Sequence, residues 1–241
     1  ENIIVLSLAT VIFPTLSKHA AQKKTDMLSL DIGKSLMIVL LAMLPCAVFA
    51  FQYAQEVIQL LFGHGAFDAR AINLTADAMR FYSIGLLFIS FNAILTRALY
   101  SLKKVKSTSI AACCSMLVNV VLNIVLAPIM GVRGLALATS IANVMQAAVL
   151  GVALCQQIGI RYIRLISIDA LKCVICVLCM GGMSFLLSSF FGQFCSWFPA
   201  TILAVSISIL VYIGLAILLK IQLVCESIMG FRRTITLHKK N

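Results

Sequence analysis

The chain has 241 residues, of which 62% are hydrophobic and 11% charged, with four prolines and a mean hydropathy of +1.07. A soluble domain is nearer ~45–50% apolar and ~25% charged, so this composition excludes a soluble globule and a disordered chain alike. The net charge of +11 would raise nucleic acid in a soluble protein. In a chain whose solvent is lipid, the basic residues mark the edges of membrane spans, and no nucleic-acid partner is expected.

A transmembrane helix needs ~20 mostly apolar residues, because the hydrocarbon layer is ~30 Å thick and a helix rises ~1.5 Å per residue. The first apolar run, 2–16, is shorter and ends at Pro14-Thr15-Leu16-Ser17. It reads as the inner end of a helix that starts upstream. The chain opens on Glu1 rather than Met and carries no signal-peptide pattern, so it reads as a piece of a longer protein. Six full-length runs follow, at about 35–55, 81–100, 108–130, 134–155, 170–191 and 199–220. They predict an all-α polytopic transmembrane bundle. Barrel strands would alternate apolar and polar residues.

The charges test this order of spans. Lys18, Lys23, Lys24 and Lys34 lie in the connection 18–34, and Arg97, Lys103, Lys104 and Lys106 in 97–106. Arg161, Arg164 and Lys172 lie in 161–172, and Lys220, Arg232, Arg233, Lys239 and Lys240 in the tail 220–241. These alternate connections hold 16 of the 19 basic residues, and the others hold only Arg70, Arg80 and Arg133. The positive-inside rule therefore places 18–34 and the C-terminus in the cytoplasm.

The outer connection 56–80 is the longest loop-like stretch. Its Gly63-His64-Gly65-Ala66-Phe67-Asp68 predicts a turn, and Leu60-Leu61-Phe62 before it should dip into the membrane interface. His64 could be a ligand or a proton carrier, but a lone loop histidine is more often simply solvated.

Charges are almost absent from the span centres, where a proton pump or voltage sensor would need them. Amides are present. Asn92 and Thr96 lie one turn apart on the second full run, and Asn119 and Asn123 one turn apart on the third. Thr139, Ser140, Asn143 and Gln146 follow on the fourth. Two readings stand: interhelical hydrogen bonding, worth ~0.6–2 kcal/mol per contact, or the lining of a polar cavity. Packing is the commoner outcome. The small residues of Gly131-Val132-Arg133-Gly134-Leu135-Ala136-Leu137-Ala138-Thr139-Ser140 permit close helix approach, with Arg133 starting that helix on the outer side.

Nine cysteines, mostly inside apolar runs, give no extracellular disulfide framework. Cys173, Cys176 and Cys179 have a metal-like spacing, but no histidine is near, and cysteine also packs as a small hydrophobe. Packing is the expected role, with no metal or other cofactor. No HExxH, GxSxG, P-loop or GxGxxG is present, and His19, His64 and His238 lie far apart, so no enzyme is expected.

Several segments, taken in order, resemble the MurJ/MviN family. Ala9-Thr10-Val11-Ile12-Phe13-Pro14-Thr15-Leu16-Ser17 resembles the end of that family's eighth helix, and Leu44-Pro45-Cys46-Ala47 the LP-x-A of its ninth. Leu61-Phe62-Gly63-His64-Gly65-Ala66-Phe67-Asp68 is similar to its LFxxGxFT outer loop. Tyr82-Ser83-Ile84-Gly85-Leu86 resembles the opening of the tenth helix, and Arg97-Ala98-Leu99-Tyr100-Ser101 the RAFYA box. Asn119-Val120-Val121-Leu122-Asn123-Ile124 and Gly134-Leu135-Ala136-Leu137-Ala138-Thr139-Ser140 complete the series. Leu99 replaces the usual Phe, and Ser107 stands where a Pro is usual, so the eleventh helix should start differently. The likeness runs by motif over about 1–160, and beyond that by a two-helix pattern alone.

The resemblance implies the C-terminal lobe of a flippase of the MOP superfamily plus two additional helices. On that frame, 1–17 ends a truncated helix, 18–160 holds four lobe spans, 161–222 the two added spans, and 223–241 a basic cytoplasmic tail. The implied function is movement of lipid II, an undecaprenyl-pyrophosphate-linked disaccharide peptide, across the bacterial inner membrane by alternating access. The implied partners are lipid II, membrane lipids and the N-terminal lobe; the family's cavity arginines lie in that lobe and in the upstream part of the eighth helix. Candidate cavity residues are Asn92, Thr96, Arg97, Asn119, Asn123 and Asn143. Some relatives hold sodium at positions matched by Asn119, Asn123 and Thr139. A hard cation would want a carboxylate where Asn123 stands, which argues against sodium coupling here. The alternatives are another MOP-type transporter, such as a polysaccharide-lipid flippase or drug antiporter, and a non-transporting membrane scaffold.

Overall fold

Long uncharged apolar runs can satisfy their backbone in lipid only by closing hydrogen bonds within each segment, and the described runs do this as helices. A computed structural model describes residues 2–63, 68–159, 161–192 and 197–221. These form eight helices: α1 (Asn2–Ala21), α2 (Thr25–Gln52), α3 (Ala54–Phe62), α4 (Ala69–Ser101), α5 (Val105–Met130), α6 (Val132–Ile158), α7 (Arg161–Phe191) and α8 (Trp197–Leu218). Six of them (α2 and α4 to α8) are long and apolar enough to cross a membrane. They coincide with the six runs of the sequence. His64 and the tail residues 223–241 lie outside the described residues, as do the side chains of Arg161 and Arg164.

Three expectations change. α1 runs through Pro14 and past Ser17 to Ala21. The stretch 56–80 is mostly helix rather than loop. α3 buries Ala54 and Ile58 against Ala76 of α4, with Ile72 and Met79 packed alongside, while Leu60, Leu61 and Phe62 stay exposed. α4 begins at Ala69, where Asp68 Oδ1 accepts from the Ala71 N–H at 2.8 Å and caps the helix. Its 33 residues make a rod of about 50 Å, longer than the hydrocarbon layer of ~30 Å. α5 starts at Val105, ahead of Ser107.

The chain forms two compact units, Glu1–Leu165 and Ile166–Asn241. In the first, α4 is the central element, packing on α1, α2, α3, α5 and α6, and α6 also packs broadly on α5. Leu28, Ile32, Met43, Ile94, Leu99, Leu150 and Leu154 are buried between these helices. Two glycines set the approach distances. A Cβ on Gly85 of α4 would stand 2.9 Å from the Ser140 Cα of α6, and one on Gly134 of α6 would stand 2.4 Å from the Leu126 carbonyl oxygen of α5. Hydroxyls lock the same seams. Ser140 Oγ donates to the Phe81 carbonyl at 2.6 Å, and Ser115 Oγ to the Ala142 carbonyl at 3.0 Å.

In the second unit, Cys173, Cys176 and Met180 of α7 and Ala204, Tyr212 and Ala216 of α8 are buried. Cys173 Sγ lies 3.5 Å from the Tyr212 hydroxyl, while Cys179 is exposed. The cysteine triplet is therefore split between buried and exposed positions.

The basic connections share one chain ending that the sequence did not reveal. Lys23, Lys103 and Lys220 follow α1, α4 and α8 with φ of 54°, 58° and 49°. In each case the next N–H reaches back five residues, Lys24 to His19, Lys104 to Leu99 and Ile221 to Ala216. This is the closure that glycine usually provides. Lysine accepts a strained φ of roughly 1–2 kcal/mol there, and its ammonium is offset against the negative end of the helix dipole.

Candidate functional site

On α4 the residues Ile89, Asn92, Ala93, Thr96, Arg97 and Tyr100 recur every three or four positions, so they share one helix face. That face, with Asn143 and Gln146 of α6 and Phe13 of α1, lines a cavity of about 540 Å³. Four of the six sequence-proposed cavity residues, Asn92, Thr96, Arg97 and Asn143, thus meet in one place. Phe13, Ile89, Ala93, Tyr100 and Gln146 join them. Periodicity from the Asn92–Thr96 pair extends to Ile89 and Tyr100, whereas Phe13 comes from a helix whose packing the sequence does not show.

Asn119 and Asn123 are not among the lining residues. They sit half-buried on the α5 face toward α6. Asn123 Nδ2 donates to Asn119 Oδ1 at 2.9 Å, and Asn119 Nδ2 donates to Thr139 Oγ1 at 3.2 Å. Thr139 Oγ1 in turn donates to the Leu135 carbonyl at 3.0 Å. The Thr139 main-chain carbonyl accepts from Asn143 Nδ2 at 2.8 Å, and the Asn143 carbonyl accepts from Asn92 Nδ2 at 3.1 Å. A chain of polar contacts therefore runs from Asn123 on α5, across α6, to Asn92 in the cavity on α4. The sequence-proposed cation set Asn119, Asn123 and Thr139 is brought together by these bonds.

Among the described lining residues, Arg97 alone is charged. Arg97 is half-buried, and among the described residues its guanidinium makes no ion pair. Among the described residues, the side chains of Thr96 and Gln146 also have no hydrogen-bond partner. Asn92 is only 6% exposed, and its Oδ1 is buried without a partner. The cavity therefore offers a cation and unused donors, beside a buried amide oxygen without a partner. Toward the far end of α4, by contrast, two cations are paired: Asp77 holds Arg80 at 3.3 Å and the Arg133 Nε at 2.8 Å.

The family profile described as "Lipid II flippase MurJ" matches residues 1–221. The chain belongs to this family. A protein of Thermotoga maritima named "Probable lipid II flippase MurJ" is 32% identical over 143 residues, which are 59% of this chain and 29% of that protein. A second of the same name, from Treponema pallidum, is 28% identical over 60% of this chain and 28% of its own length. The solved structure of the lipid II flippase MurJ in an inward closed conformation superposes with a TM-score of 0.69 at 25% identity. That match covers 91% of this chain and 44% of the solved one, so the chain spans less than half of the relative. Membership of this family and six apolar helices make it a multi-pass membrane protein. The all-helical fold is that of the MurJ lobe and added helices implied by its motifs.

Proposed function

We propose that this chain is the C-terminal part of a lipid II flippase of the bacterial inner membrane. It moves the undecaprenyl-pyrophosphate-linked disaccharide peptide outward by alternating access, as a transporter and not an enzyme. The observation that carries this reading is the cavity of α1, α4 and α6, lined by amides, a hydroxyl and an arginine, in a chain of the MurJ family. A large polar headgroup needs such a lining, and the polyprenyl tail can remain in lipid. Asn92, Thr96, Arg97 and Asn143 line this headgroup path, and Asn119, Asn123 and Thr139 hold its wall. Residues 18–160 then act as the moving lobe, 161–222 as the added pair. An N-terminal lobe of the same protein supplies the opposing wall, since rocking needs two sides.

The complete gene product should restore growth to cells depleted of their own flippase and should translocate lipid II in proteoliposomes. Residues 1–241 alone should not exceed protein-free vesicles. Translocation by this stretch alone would place the essential chemistry here rather than across two lobes. The 16-to-3 division of basic residues supports a cytoplasmic C-terminus. A cysteine placed at Lys104 in a cysteine-free background should be labelled only from the cytoplasm, and one at Arg133 only from outside. The reverse pattern would overturn the orientation.

A further inference from the structure

The end of α1 meets the start of α2 through a short side-chain contact that is not part of the cavity lining. His19 Nδ1 lies 2.6 Å from Asp31 Oδ2, across the turn that joins the two helices. Both side chains are 23% exposed, so water reaches them while most of each is packed away. The Asp31 backbone is held in turn, since its carbonyl accepts from Ser35 Oγ at 2.6 Å. Five residues before His19, Pro14 interrupts the ladder of α1, because it has no N–H to return to the Thr10 carbonyl. Phe13, beside that break, lines the cavity. Residues 15–21 therefore form a short lever, hinged at Pro14, seated by the buried Leu16 and tied to α2 by His19 and Asp31.

A carboxylate only accepts, so Nδ1 carries a hydrogen in either charge state of the ring. A second proton, at Nε2, turns a neutral hydrogen bond into a charged pair, and charge-assisted bonds are the stronger kind. Histidine is the side chain that ordinarily gains and loses this proton between about pH 5 and 8. α1 packs on α2 and α4. The other titratable groups at this end are Lys18, Lys23 and Lys24 on α1 and its turn, Asp26 and Lys34 on α2, and Arg97, Tyr100, Lys103 and Lys104 at the end of α4. Lysine and arginine only donate, and the ring bonds to Asp31.

We propose that the end of α1 is a proton-sensitive latch. With its imidazole doubly protonated, His19 pairs with Asp31 and holds the lever to α2. As pH rises, Nε2 gives its proton to water, the charged pair becomes a neutral hydrogen bond, and the lever loosens with Phe13 at its hinge. The hold is full on the acid side of the histidine range and weakens on the alkaline side. Exposed and part-exposed pairs are modest, so the balance of held and released lever shifts about threefold.

The test places a spin label at Ala21 of the complete gene product, in a cysteine-free background and in nanodiscs, and follows its mobility from pH 5 to 8. The released fraction should rise about threefold through the histidine range. A label at Ser109, on the first turns of α5, should not respond. His19→Asn keeps a donor near Nδ1 but does not titrate, and its profile should be flat at the looser level. His19→Lys carries a permanent charge and should be flat at the tighter level, and Asp31→Asn should lose the acid-side hold. Thermal melts show which variants are folded, and the three variants approach the contact from both partners. A flat wild-type profile, a titration that persists in folded His19→Asn, or an equal response at Ser109 would overturn the latch.

A second readout rests on the transport reading above. A tighter hold on one arrangement slows a cycle that must leave it. Acidifying the side that bears residues 18–34 should therefore slow lipid II transport about threefold in proteoliposomes, and His19→Asn should remove that dependence. Transport indifferent to pH on that side would overturn the link between latch and cycle. A titrating label in a protein that moves no lipid II would support the latch and sink the transport reading instead.

Discussion

The α4–α6 seam and the α7–α8 pair are both apolar helix contacts, yet they are built differently. α4 and α6 meet at Gly85 and Ser140 with no room for another atom, and amides and hydroxyls run along the contact. α7 and α8 meet through Cys173 and Tyr212 at 3.5 Å, and Gly182 of α7 and Gly214 of α8 have nothing within reach of an added Cβ. In lipid, apolar side chains gain little by leaving acyl chains for one another. Close approach and polar contact then decide which helices are held in one register. The seam has both and frames the cavity. At Gly182 and Gly214 the pair has no such close approach, which suits helix faces turned to lipid.

The sharpest way to break this contrast is to fill the seam. Gly134→Ala drives a Cβ into the Leu126 carbonyl, where oxygen and carbon stand 2.4 and 2.7 Å away and both are backbone. Gly85→Val would press on the Ser140 backbone in the same way. Each should cost about 1–3 kcal/mol, the usual range for overpacking, and should lower the melting temperature and transport together. Unchanged melts in detergent would mean that α4, α5 and α6 are not closed on one another.

The polar chain gives a smaller and graded effect. Asn119 both donates to Thr139 and accepts from Asn123, so Asn119→Leu removes two contacts. Asn123 makes one, and its Oδ1 is buried without a partner. With membrane hydrogen bonds averaging about 0.6 kcal/mol, Asn119→Leu should destabilise by about 1 kcal/mol and Asn123→Leu by less than half of that. Equilibrium unfolding in mixed micelles would show the order. A larger loss from Asn123→Leu would give that residue a role beyond this chain of bonds.

These two regions also differ in how much their sequence revealed. Span positions were legible because ~20 apolar residues in a row have one solution in lipid. The one-turn spacing of Asn92 and Thr96 correctly marked a shared face. It could not show that the face meets Phe13, nor that Asn119 and Asn123 turn toward Thr139 rather than into the cavity, because those facts depend on helix rotation. Residues 56–80 misled because turn residues between 63 and 68 hide the short helix before them and the early start of α4. The left-handed lysines were invisible for a related reason: nothing in Lys23-Lys24 or Lys103-Lys104 announces a φ that glycine ordinarily takes.

Where the α7–α8 pair has open space, the expected sign reverses. Gly182→Ala or Gly214→Ala adds a methyl group that meets nothing and removes backbone freedom from the unfolded helix. Each should stabilise by up to about 1 kcal/mol. A melt that falls instead would reveal a partner seated on that surface.

The smallest effect belongs to a sulfur-to-hydroxyl contact between α7 and α8. Tyr212 is 9% exposed, and Cys173 Sγ lies 3.5 Å from its hydroxyl. Sulfur is a weak donor and a weak acceptor, so this bond holds far less than the Ser140–Phe81 bond of the seam. Tyr212→Phe keeps the ring and its packing and should shift stability by no more than about 0.6 kcal/mol, the average for a membrane hydrogen bond. Ser140→Ala removes a 2.6 Å bond to a backbone carbonyl and should cost more. Measured side by side in equilibrium unfolding, the two variants give the contrast its sign. If Tyr212→Phe is the more damaging, the α7–α8 pair is held by its polar contact after all, and the distinction between a registered seam and a lipid-facing pair fails.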